Sequence, residues 1–222
     1  MPLDLLFGEK VYQWYGRRQR AYRVIRWVSC LGRERFFKRE ILKALGLAPG
    51  ATVLDLACGN GFNLVSLTTA IGPEGRVIAI DYSAEMLAAA RVRAKTHGWR
   101  QVEFVQCDAT RVELQQGQCD AALCTFGLSA MPNETAAVRN VVRALRPGAP
   151  FVVFDAKPFT GWARGINPFH QPLFRYATNW DHDKDVIGRL RREFEIVDVA
   201  EFHSGCNYIA ICRKASGTYN RA

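Results

Sequence analysis

Residues 53–61 read VLDLACGNG. Val53, Leu54 and Leu56 make an apolar run with Asp55 set into it, and Gly59 and Gly61 end the run with one residue between them. Burying a carboxylate is costly unless it has a partner. A strand that places one just ahead of a glycine turn is therefore expected to serve a ligand or loop at its carboxyl end.

Working outward, strands and helices alternate. ATVLDLA reads as a first strand, GFNLVSLTTAIG as a helix, RVIAID as a second strand and SAEMLAAARVRAKTHG as a helix capped by Ser83 and ended by Gly98. QVEFVQCD and CDAALCTFG are the third and fourth strands. NETAAVRNVVRALRPG is a helix capped by Asn133 and stopped by Pro-Gly, and APFVVFDA is the fifth strand. FEIVDVAEF, HSG and CNYIAICRK form an antiparallel hairpin at the end of the chain. The pattern predicts an α/β fold: one mostly parallel, seven-stranded sheet with helices on both faces and an antiparallel C-terminal hairpin. A single domain is expected. It comprises a basic helical segment over 1–46, a ligand-binding core over 47–155, an aromatic insertion over 156–181, and a helix with the hairpin over 182–213.

Composition narrows the class. The 222 residues are 49% hydrophobic, and no apolar run reaches the length needed to span a membrane. The opening MPLDLLFGEK lacks a basic-then-apolar signal pattern, so a cytoplasmic chain is expected. The seven cysteines form no CxxC pair and read as reduced thiols packed as small hydrophobes; no metal site is expected. The net charge is +9, and +7 of it falls before residue 44, with eleven basic residues against four acidic ones. Such a concentration suits an anionic surface, lipid or nucleic acid, or else a solvated helix face.

In such sheets ligands bind beyond the carboxyl ends of the strands, near the point where strand order reverses. Gly59 and Gly61 allow a tight turn and close backbone approach. Asp81 closes strand two about twenty residues later, where a carboxylate accepts both hydroxyls of a ribose. A dinucleotide fits poorly: in G-N-G-F-N-L the third glycine of GxGxxG is replaced by Leu64, and Asp55 would repel phosphate. A ligand with a cationic end and no phosphate fits better. Asp55 either faces that cation or holds the loop's amides.

VLDLACGNG, VIAIDYS, VQCDAT and ALRPG ahead of a strand together resemble the class I S-adenosylmethionine-dependent methyltransferases, with a Rossmann-like sheet, over roughly residues 45–155. Within them the chain is similar to the ubiquinone/menaquinone C-methyltransferases and to the bacterial phospholipid and betaine-lipid N-methyltransferases. Their early Y-D-x-x-A-x-x-Y-D-like segment reads YGRRQRAYR here, with Gly16 and Arg23 in place of the acids. The resemblance implies S-adenosylmethionine as cofactor. Asp55, Cys58, Gly59, Asn60 and Gly61 would hold its methionine part, and Asp81 the ribose. Tyr82 and Met86 would pack by the adenine, and Asp108, with Ala109 beside it, would accept from the adenine amine. Thr125 and Phe126 would sit beneath the sulfonium, and Tyr22 with Tyr15 would close over the methionine end.

Methyl transfer needs the acceptor held in line and, for oxygen or carbon acceptors, a base. Asp155 and His170 are the first candidates, with His182 and His203 behind them; Asp181 in DHDKD reads as a helix cap. Two regions bear on the acceptor. Residues 9–31 have the spacing of a basic amphipathic helix, with Val11, Tyr15, Tyr22, Ile25 and Val28 on one face and Arg17, Arg18 and Arg20 between. It is either a lid on the cofactor or a contact with an anionic membrane surface, which would put the protein peripherally on its inner face. Residues 156–181 form a long, proline-broken aromatic loop, whose Trp162, Phe169, Tyr176 and Trp180, with Phe174, are expected to wall the acceptor. A small amphipathic or lipid-like acceptor, a lipid amine or a quinone, is expected. A soluble metabolite or RNA is the alternative, with RNA disfavoured because TFGLSAMPN stands where an N/D-P-P-Y/F turn would serve a base. A non-catalytic S-adenosylmethionine-binding regulator is the alternative of another class.

Overall fold

The computed structural model describes residues 5–215. Seven strands form one sheet in the order β3-β2-β1-β4-β5-β7-β6. They are β1 (Thr52–Leu56), β2 (Arg76–Asp81), β3 (Val102–Gln106), β4 (Ala121–Thr125), β5 (Pro150–Ala156), β6 (Ile196–Phe202) and β7 (Asn207–Arg213). The first five run parallel, and β7 lies antiparallel between β5 and β6. The order reverses between β1 and β4, where Asp55 lies level with Leu123. Apolar side chains on alternate strand positions feed two cores, one on each face. Leu54, Leu56, Ile78, Ile80 and Val153 pack on one side, and Val53, Val77, Ala79, Leu123 and Val152 on the other.

Helices α4 (Leu64–Ile71), α5 (Ala84–His97) and α6 (Glu134–Ala144) follow β1, β2 and β4. Ser83 and Asn133 cap α5 and α6 as expected, accepting from the backbone N–H of Met86 and Ala136. The cap of α8 (Val186–Glu193) is Asp185, which accepts from Gly188 N. Asp181 instead makes a turn with Asp183 N, so its reading as a helix cap is corrected. All seven cysteines are free thiols, six of them buried.

Residues 9–31 are not one helix. They divide between α1 (Leu5–Arg17) and α2 (Gln19–Ser29), parted at Arg18 with φ −124° and ψ 66°. Gly16, which replaces the family's acid, explains part of this. A Cβ there would stand 2.4 Å from Glu85 Cβ and 2.8 Å from the Glu85 backbone. Only glycine lets α1 lie this close to α5, directly over the cofactor loop. The stretch 156–181 is not a loop either. It holds a 3-10 turn, Gly161–Ile166, and α7 (Asn167–Thr178), which carries Pro168 in its first turn and tolerates Pro172. Helix α3 (Glu34–Leu45) packs Phe37 against Phe154 of β5.

Candidate functional site

The carboxyl ends of β1 and β4 carry the site. Ala57 and Phe126, one residue past or just beyond each strand, both have left-handed backbones, with φ of 56° and 53°. For residues with a Cβ this is strained, and such strain gathers at functional sites. Gly127 answers it locally: a Cβ there would meet Cys124 Sγ at 2.7 Å and Ala57 Cβ at 2.9 Å.

Asp55 is fully buried in β1. Asn63 Nδ2 donates to its Oδ1 (3.2 Å) and to Thr125 Oγ1 (3.1 Å), bridging β1 to β4. Asp55 Oδ2 and Asn60 Oδ1 are buried acceptors with no hydrogen-bond partner among the described residues. Two unpaired acceptors at one loop suit an ammonium group. Asp81 organises the loop from the next strand: Gly59 N donates to its Oδ2 (2.7 Å) and Ser83 N to its Oδ1 (2.9 Å). A Cβ on Gly59 would stand 3.2 Å from the Tyr22 hydroxyl and 3.4 Å from Met86 Cε, so Tyr22 and Met86 do close over the loop. Asn60 Nδ2 donates to Gln19 Oε1 (2.6 Å), latching the loop to the start of α2.

Burial, opposed by the Asn63 hydrogen bond, raises the Asp55 carboxyl to about 7; burial likewise raises Asp81 to about 6. Both ionise near 3.8 when exposed. Folded protein therefore holds extra protons above 3.8, and its stability falls as pH rises through these values. Both carboxyls still titrate between pH 6 and 8, and Asp55, the more strongly raised, contributes more of the slope there. At about 1.4 kcal/mol per pH unit, Asp55 contributes at most ~4 kcal/mol. Chemical denaturation of ligand-free protein at pH 6 and 8 is expected to show less stability at pH 8, and Asp55→Asn to lessen that difference. Equal differences in the two proteins would remove Asp55 from this account.

Three connected cavities surround the loop. One of about 200 Å³ is lined by Asp81, Tyr82, Asp108 and Ala109, with Ile80, Met131 and Glu9. A second, of about 60 Å³, is lined by Gly59, Met86, Thr125, Phe126 and Tyr22, and shares Asp81 and Tyr82 with the first. A third, of about 170 Å³, begins at Tyr12, Tyr22 and Phe126 and runs between α2 and α7. Tyr15, Ile25, Phe159, Phe174 and Trp180 line it, with Arg26, Asp155, Ser129 and His170 among its polar groups. Asp55, Cys58, Asn60 and Gly61 are not on these walls. Nine of the sequence-predicted cofactor residues line the first two cavities, Tyr15 lines the third, and of the base candidates Asp155 and His170 reach the third.

The acceptor residues divide. Trp180 is buried in the third cavity, and its Nε1 donates to Ala156 O (3.3 Å). Trp162, Phe169 and Tyr176 are 88%, 80% and 74% exposed and do not line it, because folding of 161–178 into helical turns directs them outward. Residues that sequence reasoning missed are Tyr12, which donates to Thr178 O (3.0 Å), Ser129 and Arg26. Arg26 sits over Phe62 (3.0 Å to the ring centre) and donates from Nε to Glu34 (2.8 Å); its Nη1 is buried without a partner among the described residues. Nothing in local periodicity marks it, since it is one arginine among several on α2.

The donor set suits S-adenosylmethionine: unpaired acceptors for an ammonium, an unpaired guanidinium N–H for a carboxylate, and Asp81 beside a pocket of nucleoside size. A profile of the ubiE/COQ5 methyltransferase family matches residues 7–178. The chain is 29% identical over 119 residues to the demethylmenaquinone methyltransferase of Lactococcus lactis, covering 54% of this chain and 47% of that one. It is 29% identical over 165 residues to the 2-phytyl-1,4-naphtoquinone methyltransferase of Trichormus variabilis, covering 72% and 66%. The matches therefore span about half and about two thirds of those curated relatives. A solved SAM-dependent methyltransferase from Aquifex aeolicus superposes with a TM-score of 0.57 at 20% identity, covering 79% of this chain and 88% of that one, which shows the shared fold.

Proposed function

The chain belongs to the ubiE/COQ5 methyltransferase family, and on that premise we propose that it methylates a ring carbon of a reduced quinone-type acceptor bound in the third cavity. The observation that carries this is the wall shared between chambers. Tyr12, Tyr22 and Phe126 face both the space above Gly59 and the apolar cavity that holds His170. When bound, S-adenosylmethionine supplies a methyl carbon activated by its sulfonium. Asp81 would take the ribose hydroxyls, Asp108 the adenine amine, Asp55 and Asn60 the ammonium, and Arg26 the carboxylate.

His170 is the base. It lies among Phe159, Phe174 and Trp180, and burial lowers its pKa from 6.5, so it is neutral at pH 7. Its Nε2 is 4.0 Å from Cys206 Sγ, and its Nδ1 is buried with no partner among the described residues. Nδ1 would take the hydroxyl proton of the reduced ring, which enriches the ring carbon in electrons; once methylated, that carbon gives up its own proton to solvent, and His170 returns the hydroxyl proton to the ring oxygen. Asp155 is a positioning group instead. Ser129 Oγ (2.6 Å) and Ala156 N (2.8 Å) donate to its Oδ1, and Ser129 N (3.0 Å) to its Oδ2. A phospholipid amine fits less well, because Arg26, the one permanent cation on the cavity wall among the described residues, is divided between Glu34 and the proposed cofactor carboxylate and leaves none for a phosphate.

The test is transfer of labelled methyl to a reduced demethylmenaquinone, to phosphatidylethanolamine, to a small-metabolite extract and to RNA, in separate reactions. Label in the quinol is the expected result. Label confined to any other acceptor overturns the assignment. Cofactor binding without label anywhere would make the chain a regulator.

A further inference from the structure

Among the described residues no helix is long and apolar enough to cross a membrane. Yet the exposed large apolar side chains are not scattered. Trp14, Val24, Trp27, Val28 and Leu31 lie on α1, α2 and the turn after it; Trp162, Ile166, Phe169, Leu173 and Tyr176 lie on the 3-10 turn and α7. Outside these two segments, among the described residues, only Val65, Tyr82 and Val92 are comparably exposed. Single exposed hydrophobics are ordinary, but ten gathered on two segments that line one cavity mark an interaction face.

Three observations identify the partner. The first is position. Val28 and Leu31 are 36% and 51% exposed and also line the third cavity, which places its mouth on this face. Ile25 and Ser29 from α2 form one lip, and His170 and Phe174 from α7 the other. The second is charge. Arg18, Arg20, Arg23 and Arg33 are exposed on the α2 side and Arg164 on the other, and neither 18–33 nor 161–178 contains an acid. The third is residue type: tryptophan, tyrosine and phenylalanine among arginines suit the boundary between headgroups and acyl chains.

We infer that the lips formed by α2 and by the 161–178 segment dock on an anionic lipid bilayer, with Trp162 and Phe169 inserted. The cavity mouth then opens into lipid, and an acceptor's apolar tail passes between the lips without crossing water. This rests on the proposed function for its acceptor, but the docking itself needs no catalysis. It also reassigns Trp162, Phe169 and Tyr176 from acceptor walls to the membrane face.

The experiment is co-flotation of full-length protein with phosphatidylcholine vesicles containing phosphatidylglycerol, at low and high salt, together with quenching of tryptophan fluorescence by brominated acyl chains. Wild type is expected to float, to be quenched, and to be released by salt, since screening shortens electrostatic reach to about 8 Å at physiological ionic strength. The pair Trp162→Ala and Phe169→Ala should cut the bound fraction by about tenfold or more, through loss of inserted apolar surface. Its thermal unfolding and S-adenosylmethionine affinity should match wild type, which excludes misfolding. Arg20→Gln with Arg23→Gln should weaken flotation and flatten its salt dependence. Wild type remaining unbound at low salt overturns the inference, as does equal flotation of the aromatic pair. Retention of the protein on RNA, with vesicles ignored, overturns it in favour of nucleic acid. Flotation with no methyl transfer to any quinol would leave docking intact and sink only the proposed acceptor.

Discussion

His170→Ala is expected to lower kcat by about 10²–10⁴-fold, the usual contribution of a positioned base, while S-adenosylmethionine affinity stays near wild type. The separation follows from geometry. His170 lines the third cavity and neither of the two that border Gly59, Asp81 and Asp108. A structural role would act through stability, since the ring packs on Phe159, Phe174 and Trp180. His170→Gln guards against that reading by keeping a planar polar group without a usable base. Single-turnover rates provide the second check. The wild-type rate should fall as pH drops through the His170 pKa, which burial holds below 6.5. Protonation occupies Nδ1 and removes the base, so the acid limb should be absent from the residual rate of either variant. A full rate in a folded His170→Ala protein would move the base elsewhere, with Asp155 next in line.

Asp81→Ala is expected to weaken S-adenosylmethionine binding by about 1–3 kcal/mol for loss of a charged acceptor, or about 5- to 150-fold. The structure adds a second cost. Asp81 accepts from Gly59 N and Ser83 N, so truncation also leaves two buried backbone donors unpaired and loosens the loop that the ligand meets. Thermal unfolding should therefore shift downward together with the loss of affinity, whereas a mere ribose contact would leave it unchanged. Calorimetry below the variant's melting range separates the two effects. Unaltered affinity in a folded variant would place the ribose elsewhere, as would tighter binding of a nicotinamide dinucleotide by the wild type.

Much of the cofactor region was legible because it is locally encoded. A strand, its glycine turn and the next helix occupy consecutive residues, so Asp55, Gly59, Gly61 and Asp81 can be placed from spacing alone. Ser83 and Asn133 were readable as caps because the capping bond spans only three residues. The seven-stranded sheet followed from the alternation of patterns and the closing hairpin. The family departure at Gly16 was visible too, but its reason was not: it is a contact with Glu85, in a helix far along the chain.

The acceptor side was decided by tertiary structure. An aromatic run names its residues but not their direction, and helical turns over 161–178 send Trp162, Phe169 and Tyr176 to solvent while Trp180, past the end of α7, turns inward. Arg26, Tyr12 and Ser129 belong to the site only because α1 and α2 fold back over the sheet and the turn after β4 meets β5. The sequence by itself determined the sheet, the glycine loop and the carboxylates at the strand ends, since these depend on near neighbours and a fixed period. Only the tertiary structure decided which side chains line the third cavity, because that depends on how distant helices are turned when they pack.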